Sequence, residues 1–177
     1  MNIISNEKID EKELEKARKI IIELQKELSE KIKDGYGPFL AAIYDENGNL
    51  IAKKFNTVQR KNCSNNHAEI NTIKKAEKYL KKYDLSNENL KMYVTAEPCI
   101  MCLGAIMWSG IKELYYSVPS EKVEKITGFD EGFKPNWIDE FKKRGIKVVG
   151  NIEAELGEEV LQKYIENGGK VYKPERK

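Results

Sequence analysis

Strand and helix patterns alternate along most of this chain, and the alternation restricts it to a layered α/β fold. Helix patterns, with apolar residues three and four positions apart, cover residues 8–33, 67–83, 99–109, 137–144 and 153–167. Strand patterns cover residues 39–44, 50–55, 90–95, 114–118 and 146–149. The first two strands flank the turn signal Asp45-Glu46-Asn47-Gly48, which predicts a hairpin. Residues 56–66 and 119–136 are expected to be irregular, and the whole predicts a mixed sheet with helices against it.

The stretch from Cys99 to Ser109 is apolar on nearly every side, which predicts a buried helix. It is too short for a membrane span, which needs about 20 apolar residues. A chain of 177 residues without an internal repeat or a linker is expected to form one domain over residues 1–177. In that domain residues 8–33 form the N-terminal helix, and residues 151–177 form a C-terminal helix and tail.

Charge and cysteine content limit the partners and the compartment. The chain has 31 basic and 29 acidic residues, a balance that does not suggest a nucleic-acid partner. The basic face of the second helix is expected to be solvated; it consists of Lys74, Lys75, Lys78, Lys81 and Lys82. Three cysteines are too few for a disulfide scaffold, and the N-terminus has no secretory apolar region. We therefore expect a cytoplasmic protein with no membrane partner.

The only histidine, His67, and the pair Cys99 and Cys102 supply the ligands of a catalytic zinc site, which needs three protein ligands and an open position. Both motifs fall at predicted helix starts, where the partial positive charge favours thiolates. Zinc makes a bound water acidic near neutral pH. Glu69 follows the histidine by two residues, so its carboxylate could reach that water and carry its proton without binding the metal.

These residues also allow other interpretations. A Cys-x-x-Cys pair also occurs in thioredoxin-type redox sites, but that leaves His-x-Glu unexplained. A structural zinc would need a fourth ligand, and the remaining thiol, Cys63, lies in a polar loop. Glu69 could also be a solvated helix carboxylate.

The arrangement His67-Ala68-Glu69 followed by Pro98-Cys99-Ile100-Met101-Cys102 matches the signature of zinc-dependent nucleobase deaminases. Over roughly residues 38–130 the chain resembles the cytidine deaminase superfamily. This resemblance implies a three-layer α/β/α fold with a mixed five-stranded sheet and one zinc ion per chain. It also implies hydrolytic deamination by a zinc-dependent aminohydrolase, with His67, Cys99 and Cys102 as ligands and Glu69 as the catalytic carboxylate.

Within the superfamily, the chain is most similar to bacterial guanine deaminases. The similarity rests on Phe39, on the run Cys-Leu-Gly-Ala-Ile that begins at Cys102, on Trp108 and on Gly128-Phe129-Asp130. It implies that guanine is converted to xanthine and ammonia. It assigns Trp108 and Phe39 to the purine, Asp130 to purine contact and proton transfer, and Asn56 and the Ala68 backbone amide to the polar edge of the base. Trp108 could instead be core, Asp130 a turn residue and Asn56 a loop residue without a role.

Departures from the guanine deaminase pattern leave the substrate open. That family has glycine in place of Leu40, and the aromatic residue near its C-terminus, which closes over a partner subunit's site, has only Tyr172 as a counterpart. Cytosine or another small amino-heterocycle or nucleoside is the alternative substrate. The resemblance to tRNA adenosine deaminases is weaker, because their His-Ser-Arg run after the second cysteine is missing. A zinc-fold binding module without catalysis is the alternative class, and the family implies a homodimer.

Overall fold

A mixed sheet of six strands organises the computed structural model, which describes residues 2–173. The strands are β1 (Ile4–Ser5), β2 (Leu40–Tyr44), β3 (Leu50–Phe55), β4 (Lys91–Ala96), β5 (Glu113–Val118) and β6 (Lys147–Gly150). Their order across the sheet is β1-β6-β5-β4-β2-β3. The pairs β4/β5 and β5/β6 are parallel, and the others are antiparallel. The predicted hairpin is β2 and β3.

Seven α-helices are present in residues 2–173. They are α1 (Glu11–Lys31), α2 (Val58–Lys61), α3 (Ala68–Leu80), α4 (Ile100–Ser109), α5 (Ser120–Thr127), α6 (Trp137–Lys143) and α7 (Ala154–Glu166). Asp10 caps the N-terminus of α1, because its carboxylate accepts a hydrogen bond from the Glu13 amide at 2.8 Å.

Strand alternation divides the core between the two faces of the sheet. Leu40 and Ala42 of β2 pack on the side of α1 and α7, with Val123 of α5 in the same cluster. Ala41 and Ile43 face the opposite side, where α3, α4 and α6 pack. Helices therefore cover both faces, and the predicted three-layer α/β/α fold is confirmed. Leu40, the residue that replaces glycine in the guanine deaminase pattern, is fully buried in the α1 layer.

Three short elements were missed by the sequence patterns. The sheet has six strands rather than five, because Ile4 pairs with Gly150 and Ser5 with Val149 at its edge. Two residues are too few to show an alternating pattern. Helices α2 and α5 lie in segments expected to be irregular; α5 has eight residues and ends at Gly128, whose φ of 77° stops the helix. The predicted tail residues 174–177 lie outside the described residues.

Helix α4 is buried on one side only, which corrects the expectation of a fully buried helix. Cys102, Leu103 and Ile106 are buried, whereas the Trp108 side chain is 83% exposed. Ile100 and Met101 at the start of the helix are also exposed. The apolar sequence of α4 thus leaves an uncovered apolar face in this chain. None of the helices within residues 2–173 combines the length and the apolar character that crossing a membrane requires.

Candidate active site

Three side chains that can bind a metal ion meet at the N-termini of α3 and α4. His67 is the N-cap of α3 and Cys99 is the N-cap of α4, both with extended backbone. The Nδ1 atom of His67 lies 3.5 Å from Cys99 Sγ and 3.6 Å from Cys102 Sγ. All three ligand atoms lie within 4.8 Å of one another.

This geometry fits a zinc ion. With the usual Zn–S and Zn–N bond lengths, sulfur and nitrogen atoms at two corners of a tetrahedron are about 3.6 Å apart. Both nitrogen–sulfur distances in the cluster agree with that spacing. Two thiols and one imidazole are donors that zinc prefers, and a three-residue set leaves one position free for water. The predicted ligands are therefore brought together as a catalytic site requires.

One of the two thiols of the cluster, Cys99, favours a negative charge, and the other does not. Hydrogen bonding with Cys102, and next with His67, lowers the pKa of Cys99 to about 4. The same hydrogen bond with Cys99, together with burial, raises the pKa of Cys102 well above its usual value. Cys99 is thus the thiolate of the pair, and a bound cation would favour the second one.

Glu69 lies in the first turn of α3 and is buried. Burial, and then the charge of Cys99, raises the pKa of its carboxyl group. Glu69 also lines a pocket of about 330 Å³ that opens beside the cluster. A buried carboxyl group with a raised pKa, next to a metal site, is the type of group that accepts and returns a proton.

The pocket is mostly apolar, with a few polar groups near the metal cluster. Its lining includes Phe39, Ser64, His67, Glu69, Ala96, Glu97, Cys99, Ile100, Met101, Phe129, Asp130, Glu131, Gly132, Tyr172 and Lys173. Its volume is at the small end for ligand sites, as a single heterocycle would require. Phe39 and Asp130 are thus at the pocket, as expected from the sequence.

Asn56 and Ala68 lie close to the pocket without lining it. Asn56 is 1% exposed, and its Oδ1 accepts a hydrogen bond from the Val58 amide at 3.2 Å. Its Nδ2 donates to the Tyr172 hydroxyl at 2.6 Å. Ala68 is fully buried as the first residue of α3. The Asn56 amide is therefore linked to the pocket wall through Tyr172.

Trp108 is not near this pocket. It lies towards the C-terminal end of α4, beside a shallow groove formed with Ile70, Ile73 and Lys74 of α3. Within one chain, its exposed ring therefore cannot stack on a base bound beside the zinc ligands. The interpretation of Trp108 as ordinary core is also wrong, because the side chain is exposed.

Sequence reasoning missed Glu131, the neighbour of the predicted Asp130. Asp130 is exposed, and its Oδ1 accepts a hydrogen bond from the Gly132 amide at 3.0 Å. Glu131 is 7% exposed and lines the pocket. Burial, and next the charge of Cys99, raises the pKa of Glu131 to about 8, although Lys134 opposes this. Phe129 and Glu131 are buried on either side of exposed Asp130, an alternation that the sequence did not reveal.

The C-terminal segment closes over the pocket of its own chain. The Tyr172 ring contacts Phe129 edge-on, with ring centroids 5.0 Å apart, and lies 6.3 Å from the His67 ring. Tyr172 was the candidate for the aromatic that closes the site of a partner subunit. In this structure it covers the pocket in cis.

Comparison with known proteins identifies a family. A model of the cytidine and deoxycytidylate deaminase zinc-binding region matches residues 12–118. Guanine deaminase of Bacillus subtilis is 39% identical over 103 residues, which are 58% of this chain and 64% of that enzyme. A probable cytosine deaminase of Schizosaccharomyces pombe is 34% identical over 70% of this chain and 71% of that protein. Relatives also include tRNA-specific adenosine deaminases, such as that of Haemophilus influenzae, which is 32% identical.

Solved structures share the fold over most of its length. Guanine deaminase from Nitrosomonas europaea superposes with a TM-score of 0.78 at 35% identity, covering 84% of this chain and 82% of that chain. A structure in complex with 2,6-diaminopurine gives a TM-score of 0.82 at 33% identity, covering 89% and 85% of the two chains.

The metal site predicts different behaviour for two cysteines. Cys102→Ser removes a buried ligand, so zinc content should fall from one ion per chain to a small fraction after dialysis against a mild chelator. Cys63→Ser is the matched control, because the Cys63 thiol bonds to Asn65 Oδ1 outside the cluster. Metal analysis and circular dichroism on both variants provide the measurement. Loss of zinc from Cys63→Ser would show that the ligand set is wrong.

Proposed function

Because the chain belongs to the cytidine and deoxycytidylate deaminase family of zinc-dependent aminohydrolases and brings together the ligands for one zinc ion, we propose that it deaminates guanine to xanthine and ammonia. The observation that carries this substrate is the small pocket, closed by Tyr172 over the zinc ligands. A pocket of this size suits one free base rather than a base within a nucleic acid. Guanine deaminases among the relatives support a purine.

His67, Cys99 and Cys102 hold the zinc ion in this proposal. When bound, zinc polarises a water molecule so that it can act as a nucleophile near neutral pH. Glu69 would be the group that accepts a proton from the attacking water and delivers it to the exocyclic nitrogen on C2 of guanine. One C–O bond forms at C2, the C–N bond breaks, and ammonia leaves. Burial of Glu69 keeps bulk water away from the proton it carries.

The remaining pocket residues orient the base. Phe39 contributes an apolar wall, and Glu131 presents a carboxyl group that can accept hydrogen bonds from the ring N–H and amine of guanine. Asn56 and the Ala68 amide lie next to the pocket lining, and we propose that they help to hold the polar edge of the base, Asn56 through the hydroxyl group of Tyr172. Since Asn56 Nδ2 donates to the Tyr172 hydroxyl and holds this side chain in place, we propose that Tyr172 forms the wall that covers the bound base.

We also propose that the chain forms a homodimer through the face around Trp108. Trp108 is 83% exposed, and Ile70 and Ile73 border the groove beside it. Exposed apolar surfaces of this kind commonly mark protein–protein contacts. A second copy would cover the part of α4 that this chain leaves open.

We also propose a cytoplasmic location. None of the three cysteines is in a disulfide bond, which is consistent with that compartment.

Ammonia release from the zinc-loaded protein tests the substrate. The panel comprises guanine, guanosine, cytosine, cytidine, adenine, adenosine and a tRNA anticodon hairpin. We expect kcat/KM for guanine to exceed that of every other member by at least about tenfold, because the pocket groups match its polar edge. Faster turnover of cytosine, the substrate in the name of one relative, or of the hairpin would contradict the proposal.

Substitutions at adjacent carboxylates separate the roles of Glu131 and Asp130. Glu131→Gln should lower kcat/KM by about 100-fold, because the buried group faces the base. Asp130→Asn is the matched control and should stay within about threefold of wild type, because its carboxyl group is exposed. Steady-state kinetics at saturating zinc provide the measurement. The opposite ranking would return the role to Asp130.

Light scattering tests the dimer. Trp108→Ser should convert the protein to monomers at micromolar concentration, because it removes the largest exposed apolar side chain of the α4 face. Leu50→Ser is the control, since Leu50 is 48% exposed at the start of the edge strand β3 and does not line the groove beside Trp108. A wild-type protein that is monomeric, or a Trp108→Ser protein that stays dimeric, would refute this interface.

A further inference from the structure

A buried ion pair lies at the border of the pocket, where only its carboxylate partner belongs to the lining, and it has no part in the proposed chemistry. Lys134 Nζ lies 2.9 Å from Glu97 Oε1, and the two side chains are 8% and 11% exposed. Burying such a pair costs desolvation energy that its attraction often fails to repay. A contribution to the stability of the fold is therefore a weak explanation for the presence of this pair. The residues around it suggest a different role.

Every donor of the Lys134 ammonium group has an acceptor. The group has three N–H donors. It bonds to Glu97 Oε1, to the Pro98 carbonyl oxygen at 3.3 Å, and to the Ser120 hydroxyl. The second oxygen of Glu97 accepts the Ser120 amide at 3.0 Å. Lys134 and Glu97 thus join the turn before Cys99, the start of α5 and the loop after it.

That loop lies directly on the first turn of α4. The Ile100 amide donates to the Glu131 carbonyl oxygen at 3.2 Å, which satisfies a helix-start donor. At Gly132, φ is 76°, and an added Cβ would lie 2.7 Å from Ile100 Cγ2. The chain can therefore approach Ile100 this closely only with glycine there. Along the sequence, Glu131 lies one residue before Gly132, which makes this contact, and three residues before Lys134.

We propose that Lys134 and Glu97 form a clamp that fixes Glu131 relative to Cys99 and so sets the geometry of the active site. Lys134 does not line the pocket, so it acts through the residues it holds and is a positioning residue. This inference rests on the proposed role of Glu131 in deamination.

A neutral double variant, Glu97→Gln with Lys134→Met, tests the clamp without leaving one buried charge unpaired. Amide hydrogen exchange at Ile100 reports whether the loop stays docked, without any substrate. We expect exchange at least about tenfold faster, kcat about 100-fold lower, KM within about threefold, and one zinc ion per chain. The matched control is Lys91→Met with Glu113→Gln, a pair 2.9 Å apart at the first residues of the parallel strands β4 and β5, the ends of these strands that lie away from Cys99. This control variant should change neither the exchange rate at Ile100 nor kcat.

A milder variant covers the case in which the double variant does not fold. Ser120→Ala removes one acceptor of Lys134 and no charge, and should speed Ile100 exchange and lower kcat by about fivefold each. Unchanged Ile100 exchange would overturn the proposal, as would faster exchange with unchanged kcat. If the wild type deaminates none of the panel bases, the proposed substrate fails, while Ile100 exchange still decides whether the clamp exists.

Discussion

The start of α3 and the start of α4 meet at one place, and the rest of the site depends on this meeting. His67 and Cys99 are not merely near the helices; they are the N-cap residues, so the helix axes fix where their side chains point. The partial positive charge of two helix starts favours thiolates at the same point. Glu69, in the first turn of α3, and Glu131, whose carbonyl oxygen binds the first amide of α4, take their positions from the same two helix starts.

This meeting concentrates acidic groups in a volume with little water. Two thiols and the carboxyl groups of Glu69 and Glu131 surround His67, and burial raises the pKa of both carboxyl groups. A divalent cation compensates for such a cluster, so metal affinity and the stability of this part of the fold should be linked. The groups that make the site reactive are therefore also those that require the ion.

The sequence alone was sufficient for the α/β alternation, for the ligand set and for the position of Glu69 beside it, because these depend on periodicity and short spacings that leave few geometric alternatives. It was insufficient for Glu131, because the loop after α5 has no regular period and adjacent carboxylates differ in burial there. Trp108 shows a different limit. An apolar residue on an apolar helix predicts burial, but the pattern does not say whether its own chain or another one covers it. The position of Tyr172 at the pocket was also beyond the sequence patterns, because no local pattern fixes the path of the C-terminal segment.

The Glu69→Gln substitution tests most directly whether a buried carboxyl group beside three zinc ligands carries the protons of a deamination. The substitution keeps the shape of the side chain and removes only its capacity to carry a proton. The measurement is zinc content together with the rate of ammonia release from the base that the wild type prefers. We expect one zinc ion per chain and a rate reduced by about 1,000-fold. A Glu69→Gln protein that holds zinc and releases ammonia at a rate close to that of the wild type would contradict it.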